Sequence, residues 1–256
     1  MDYQSLMEMA VQAGEIMLVS GAEVYRVEDT VSRMLRRSGL AQVEVFVLAT
    51  GIFATVSDPE VPAITMVRRV RDHSTDLNRI YQVNNISRAF CSGKLTVEEA
   101  KQAMEYLKGV SGYRFWQKCA GYAMVTGFFA VLFAGGPLDS LAAAFVGVLL
   151  AFSITGLSKL HFNDFCQNAA GSFVLAVAAL VIRNVIFPSM NLDAVIISAI
   201  MPMVPGVTFT AAIRDILNGD YSSGVARVAE AVVVALAVAF GVGIGMTAGR
   251  MFGLSV

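Results

Sequence analysis

Apolar positions recur at helical spacing at the start of the chain, where Leu6, Met9, Ala13, Ile16 and Met17 fall on one side of a helix. Ser20-Gly21-Ala22-Glu23 then matches a capping box, in which the serine side chain and the glutamate satisfy the free amides of a second helix. That helix presents Val24, Val27, Val31 and Met34 on one face and is expected to stop at Gly39, a residue suited to a C-terminal cap. The spacing then shortens. "QVEVFVLA", "GIFATVS" and "AITMVRRV" are rich in β-branched and aromatic residues, and Thr50-Gly51 and Asp58-Pro59-Glu60 separate them, so the stretch predicts an antiparallel three-stranded meander. A helix from about Ser74 to Phe90, ended by Gly93, follows; Thr96-Val97-Glu98-Glu99 caps another that runs to about Lys108.

Beyond residue 112 the periodicity gives way to five apolar runs, about 117–135, 138–157, 168–187, 193–213 and 224–249. Each is close to the roughly 20 residues that cross a bilayer. Short polar links separate them: "GGPLD", "SKLHFNDFCQ", "PSMNLD" and "RDILNGDYSSG". The fold expected is an α-helical integral membrane protein. A cytosolic α+β domain, residues 1–112 (two helices, the meander, two helices), precedes a membrane domain, residues 113–256, with five transmembrane helices.

Composition points the same way, with 56% hydrophobic residues, 15% charged and a mean hydropathy of +0.63. Residues 1–118 hold 14 Lys+Arg and 14 Asp+Glu, leaving 5 and 6 for the rest. That balance in the first part gives no support to nucleic-acid binding, although Arg68, Arg69 and Arg71 cluster near the last strand. Arg114, Lys118, Lys159, Arg214 and Arg227 fall on one side of the membrane, Arg183 and Arg250 on the other. The N-terminus is therefore expected in the cytosol and the C-terminus outside. "MDYQSLMEMAVQAGE" has no basic region and acids interrupt it, so it does not read as a signal peptide. Cys91, Cys119 and Cys166 are far apart and read as buried free thiols; His73 and His161 stand alone. No metal or cofactor is expected.

Candidate chemistry gathers in the apolar half. "AIMPMVPGVTFTAAIRDILNGD" is interrupted by Pro202, Pro205 and Gly206 and ends in Arg214-Asp215. Prolines remove amide donors, so the fourth span should kink or unwind around "PMVPG". The freed carbonyls and a helix N-terminus near Gly206 would suit a carboxylate or a gate; the other reading is a proline kink stabilised by neighbouring helices. Glu230 lies inside the last run, where a carboxylate is costly, and is either an ion-coupling residue or the partner of Arg227 near the interface. Arg183 could attract an anion or snorkel to the interface. Gly241, Gly245 and Gly249 repeat every four residues and read as close helix packing, within the bundle or against a partner; no strand precedes them to make a nucleotide loop. Glu15, Glu23, Arg26, Glu28, Asp29 and Arg33 lie around Ser20-Gly21 and read as a solvated face with local ion pairs. A membrane-anchored hydrolase is the alternative class, but the chain has no Gly-x-Ser-x-Gly, His-Glu-x-x-His or Walker motif. A scaffold or sensor that transports nothing is a further alternative.

Four blocks carry a resemblance: "AGEIMLVSGAEVYRVEDTVSRML" (Ala13 to Leu35), "VRRVRDHSTDLNRIYQVNNISR" (Val67 to Arg88), "LFAGGPLDSLAAAFVGVLL" (Leu132 to Leu150) and "MVPGVTFTAAIRDILNGDYSSGVARVAEA" (Met203 to Ala231). In this order they resemble the threonine/serine exporter family of bacterial membrane proteins, nearly end to end. The resemblance implies gradient-coupled efflux of small amino acids or small organic acids across the inner membrane, and no enzyme. It implies a cytosolic domain and a first bundle here, with the second bundle supplied by a small membrane subunit as partner, in a complex that could itself oligomerise. It also adds a gating role at the cytosolic mouth for Glu15, Glu23, Arg26 and Glu28; Asn163 and Asp164, which the topology places in a cytosolic loop, are further candidates for that gate. Pro202, Pro205, Gly206, Arg183, Arg214 and Asp215 are the expected substrate path.

Overall fold

The computed structural model describes residues 2–71, 73–109, 112–160 and 162–254. His161 and the C-terminal Val256 lie outside them. The chain divides into two compact units, one of Met1–Ser111 with Gly206–Ala229, the other of Gly112–Pro205 with Glu230–Val256.

In the first unit α1 (Tyr3–Val19) opens on Asp2, whose carboxylate accepts the Gln4 amide at 3.0 Å. It ends in a Schellman turn: the Ala22 N–H bonds the Met17 carbonyl at 3.0 Å and the Gly21 N–H bonds that of Leu18 at 3.1 Å, with Gly21 at φ 87°. This corrects the capping box expected at Ser20. The residues that would cap the second helix are used to terminate the first, and among the described residues the buried Ser20 hydroxyl has no hydrogen-bond partner. Helix α2 (Val24–Arg36) begins at Glu23 without a cap from its own side chain and turns off before Gly39.

Strands β1 (Gln42–Leu48), β2 (Gly51–Asp58) and β3 (Val61–Arg69) form the expected antiparallel meander, in the order β1-β2-β3. Ile52, Ala54 and Val56 of β2 alternate into the core, while Phe46 and Phe53 pair across the other face at 6.2 Å between rings. Gly14 lets α1 approach; a Cβ there would stand 2.7 Å from Val31 and 2.9 Å from Ile52. Helix α3 (Leu77–Cys91) starts three residues later than expected, because Asp76 caps the Arg79 amide at 3.0 Å. Helix α4 (Val97–Gly109) has its capping box: Glu99 donates its amide to the Thr96 hydroxyl at 3.2 Å and accepts the Thr96 amide at 2.8 Å.

The second unit contains α5 (Phe115–Leu132), α6 (Pro137–Lys159), α7 (Asp164–Val181) with a π-helical turn Ile182–Ile186, and α8 (Leu192–Ile200) with a 3₁₀ turn Met201–Met203. Helix α9 (Gly206–Leu217) belongs to the first unit, and α10 (Tyr221–Met251) gives residues through Ala229 to the first and the remainder to the second. Among the described residues, Pro137–Lys159, Asp164–Ile186 and Tyr221–Met251 are long and apolar enough to cross a membrane. Leu192–Met203 and Gly206–Leu217 pass together only as a bent pair, a broken span or a re-entrant loop, so the spans number three or four. The first expected span, 117–135, is helical but falls outside this set; Gln117 and Lys118 dilute its first turn. The break in the fourth has a local cause: Val204, at ψ 123°, is held extended by Pro205 after it.

Asp139 ties this unit together. Its carboxylate, 8% exposed, accepts the Gly136 amide at 2.7 Å and the Asn191 amide at 2.9 Å, capping its own helix and fixing the entry to α8. The thiols do not all follow expectation: Cys119 is buried, Cys91 half-buried and Cys166 exposed in the first turn of α7.

Candidate functional site

The sharp turn that ends α1 leaves Ala22, Glu23 and Val24 as a connector between two buried helices, and polar groups from α9 and α10 meet it. The Val24 amide, the first free donor of α2, is capped from a distance by Asp215 Oδ1 at 3.0 Å. Arg227 Nη2 donates to the Ala22 carbonyl at 2.7 Å, and Arg227 Nη1 stands 3.4 Å from Asp215 Oδ2. Arg214 Nη1 donates to Glu23 Oε1 at 2.7 Å, and Arg26 Nη1 donates to Glu23 Oε2 at 3.2 Å. Nearby, the Ser223 hydroxyl accepts the Ala49 amide at 3.1 Å at the β1–β2 turn. Asp215 is fully buried and Arg227 is 6% exposed.

Beside this network lies a cavity of about 310 Å³, lined by Gly21, Glu23, Arg26, Gly206, Thr210 and Arg214 among others. Gly206 and Val207 are the first residues of α9, whose opening amides have no partner within the helix. Three guanidinium groups, Arg26, Arg214 and Arg227, pair with the carboxylates of Glu23 and Asp215, and the charge of Asp220 also reaches Asp215. A helix N-terminus together with arginines suits a carboxylate.

The two neighbouring glutamates differ electrostatically. Burial pushes Glu23 up, but its own backbone amide, the Arg214 hydrogen bond and the charge of Arg26 outweigh it, holding the carboxyl below the ordinary glutamate value. Glu28 accepts the Val47 amide at 2.9 Å, yet burial, with Asp220 adding repulsion, raises its carboxyl.

Of the candidates named from sequence, Glu23, Arg26, Gly206, Arg214 and Asp215 are brought together. The others stand elsewhere. Glu15 pairs with Lys108 at 2.7 Å and lies 4.0 Å from Arg68. Asn163 caps α7 through the Cys166 amide at 2.9 Å, and Asp164 is exposed in that first turn. Arg183 is half-buried in the π-helical turn. Pro202 lines a separate cavity of about 460 Å³ with Gln117, Lys118 and Tyr122, and Pro205 immediately precedes α9. Glu230 is exposed and, among the described residues, has no ion pair; the pairing with Arg227 is corrected, since Arg227 turns to Asp215 and Ala22 instead. Gly241, Gly245 and Gly249 face α7: a Cβ would strike the Ala169 carbonyl at Gly241, stand 2.9 Å from Ala176 and from the Phe173 carbonyl at Gly245, and meet Leu180 at Gly249. Sequence reasoning missed Arg227 and Ser223 as site residues. An arginine early in an apolar run was the available signal.

The family described as "Putative threonine/serine exporter" matches residues 8–249. A "Probable threonine/serine exporter" of Mycobacterium tuberculosis is 23% identical over 93% of this chain and 45% of its own length. A "Threonine/serine exporter" of Corynebacterium glutamicum is 23% identical over 94% of this chain and 50% of its own length. A "Probable succinate transporter subunit YjjP" of Klebsiella aerogenes is 25% identical over 99% of this chain and 96% of its own length. The chain thus spans about half the length of the first two relatives and nearly all of the third. No solved structure matches it.

Proposed function

Because the chain belongs to the threonine/serine exporter family, we propose that it is the larger subunit of a two-component exporter of small amino acids or small organic acids. In this reading residues 1–112 form a cytosolic domain and residues 113–256 a five-helix membrane domain of the bacterial inner membrane, with the C-terminus outside. A small second subunit supplies the other bundle. The lengths support the split: the exporters in two relatives are about twice as long, and a relative of matching length is named a transporter subunit. The names of the relatives refer to threonine, serine and succinate, all of which carry a carboxylate.

One observation carries the substrate path. Gly206, the first residue after the Pro202–Pro205 break, lines a cavity whose walls also hold Arg26, Arg214 and Glu23. The prolines keep the α9 N-terminus from joining α8, and Arg214 receives the solute carboxylate there. Glu230, a carboxylate within an apolar helix, couples export to an ion gradient. Arg183 guards the outer end of the path, and Glu15, Glu28, Asn163 and Asp164 belong to the cytosolic mouth.

The test is efflux of labelled threonine, serine and succinate from sealed vesicles, with this chain alone, the second subunit alone, and both. Efflux is expected only with both, and Arg214→Gln should slow it roughly tenfold or more. Full transport by this chain alone overturns the split reading, and parental rates in Arg214→Gln remove the cavity from the path.

A further inference from the structure

Glu23 is held on both sides by groups far away in sequence. The carbonyl before it, Ala22, is bonded to Arg227, and the amide after it, Val24, is bonded to Asp215. These two holders are themselves an ion pair, with side chains 7% and 0% exposed. Among the described residues, Asp215 Oδ2 accepts no hydrogen bond and faces the Arg227 guanidinium as its ion-pair partner. A buried pair of this kind is a weak source of stability, since removing two charges from water cancels most of their attraction. A specific arrangement is what it provides. The planar guanidinium donates to the Ala22 carbonyl through one nitrogen while its other terminal nitrogen faces Asp215 as a charge at 3.4 Å, a fixed relation that a lysine ammonium does not reproduce.

We infer that Asp215 and Arg227 are positioning residues: they fix the backbone of Glu23 from both sides, aim its carboxylate at Arg214 and Arg26, and so set solute affinity without touching the solute. The transport consequence rests on the export reading above; the positioning itself does not. Arg214 at the cavity wall is 58% exposed along its side chain and needs an anchor to hold one orientation, and Glu23 at 2.7 Å is that anchor. Freeing Glu23 would let Arg214 disperse among rotamers, which weakens binding while leaving later steps of the cycle alone.

The experiment uses Arg227→Lys in the full chain, co-reconstituted with the second subunit, with threonine and succinate as probes. The expected result is a KM raised roughly tenfold with the maximal rate within about twofold. In a Glu23→Gln background the same substitution should change KM by less than about twofold, because its effect passes through Glu23. Equal effects in both backgrounds overturn the inference, as does an unchanged KM. Amide hydrogen exchange supplies a readout that needs no transport: exchange at Val24 should quicken roughly tenfold in Arg227→Lys while the β2 amides stay as they were. Unchanged exchange at Val24 sinks the positioning role. Faster exchange at Val24 with no transport of either probe by the parent complex upholds it and sinks the export reading instead. Should Arg227→Lys fail to fold, Asp215→Asn, which keeps an acceptor for Val24 and loses the charge facing Arg227, is held to the same KM outcomes.

Discussion

In one unit, residues 191 and 205 apart in sequence meet through Asp215 on Val24 and Arg227 on Ala22; in the other, α7 and α10 meet because Gly241, Gly245 and Gly249 have no side chains to keep them apart. The first kind of joint is polar, directional and dependent on a few atoms. The second is a continuous backbone approach, insensitive to charge and intolerant of volume. A polar joint can exchange partners when a proton or a solute arrives, whereas a glycine seam has one packed state. A change of charge should therefore act at Ala22–Val24 with Asp215 and Arg227, and a change of volume at the seam of α7 with Gly241, Gly245 and Gly249.

Breaking the polar joint should have the largest effect. Arg227→Ala leaves Asp215 buried without a counter-charge and the Ala22 carbonyl without its donor. A loss of about 3–5 kcal/mol is expected. Thermal unfolding in mild detergent would measure it; a change below about 1 kcal/mol would mean that water reaches Asp215 and the joint is not a buried one.

The glycine seam should respond next, and with a built-in control. At Gly241 an added Cβ strikes the Ala169 carbonyl, and backbone cannot turn aside as a side-chain tip can. Gly241→Ala should cost about 1–3 kcal/mol. Two residues on, Gly243 has nothing within 4 Å of such a Cβ, so Gly243→Ala should cost nothing. Equal losses at both positions in the same unfolding assay would sink the seam. Asp139→Ala, which strips acceptors from the Gly136 and Asn191 amides, belongs slightly lower, at about 1–2 kcal/mol. Asp139→Asn keeps one acceptor and should recover part of that loss.

How far each joint was legible in the sequence follows from the range over which its cause acts. Thr96 and Glu99 cap each other three residues apart, and Pro205 restrains Val204 directly before it, so both features could be read from neighbours. The alternating core residues of β2 needed only a period of two. Ser20-Gly21-Ala22-Glu23 satisfies two local rules, ending a helix or starting one; here it ends α1, and the cap of α2 comes from Asp215. Nothing near Val24 announces a partner 191 residues away. Arg227 has Glu230 three residues along its own helix, which made a local ion pair the natural reading; the buried carboxylate of Asp215 and the Ala22 carbonyl hold it instead. The repeat of Gly241, Gly245 and Gly249 marked a close approach without saying which helix would make it.

The smallest effects distinguish Glu23, in the polar joint, from Glu28, which accepts the Val47 amide of β1, and pH separates them by sign. Glu23 sits below the ordinary glutamate value when folded, so the stability it contributes is present above the unfolded value and is lost as pH falls through the folded one. Glu28 sits above it; its contribution is full below the unfolded value and is lost as pH rises through the folded one. Glu23→Gln should therefore be less stable than the parent at neutral pH, with the gap closing on acidification. Glu28→Gln keeps an acceptor for the Val47 amide and removes the poorly solvated charge, so it should equal or exceed the parent at neutral pH and lose that advantage as the solution is acidified. Each difference should stay below about 1 kcal/mol, the scale of partly exposed pairs. Melting curves of the parent and both variants across the acid range, at constant ionic strength, would measure them. A Glu23→Gln curve that matched the parent from acid to neutral pH would mean that Arg214 and Arg26 do not hold Glu23 in solution, and the anchor proposed for the cavity would go with them.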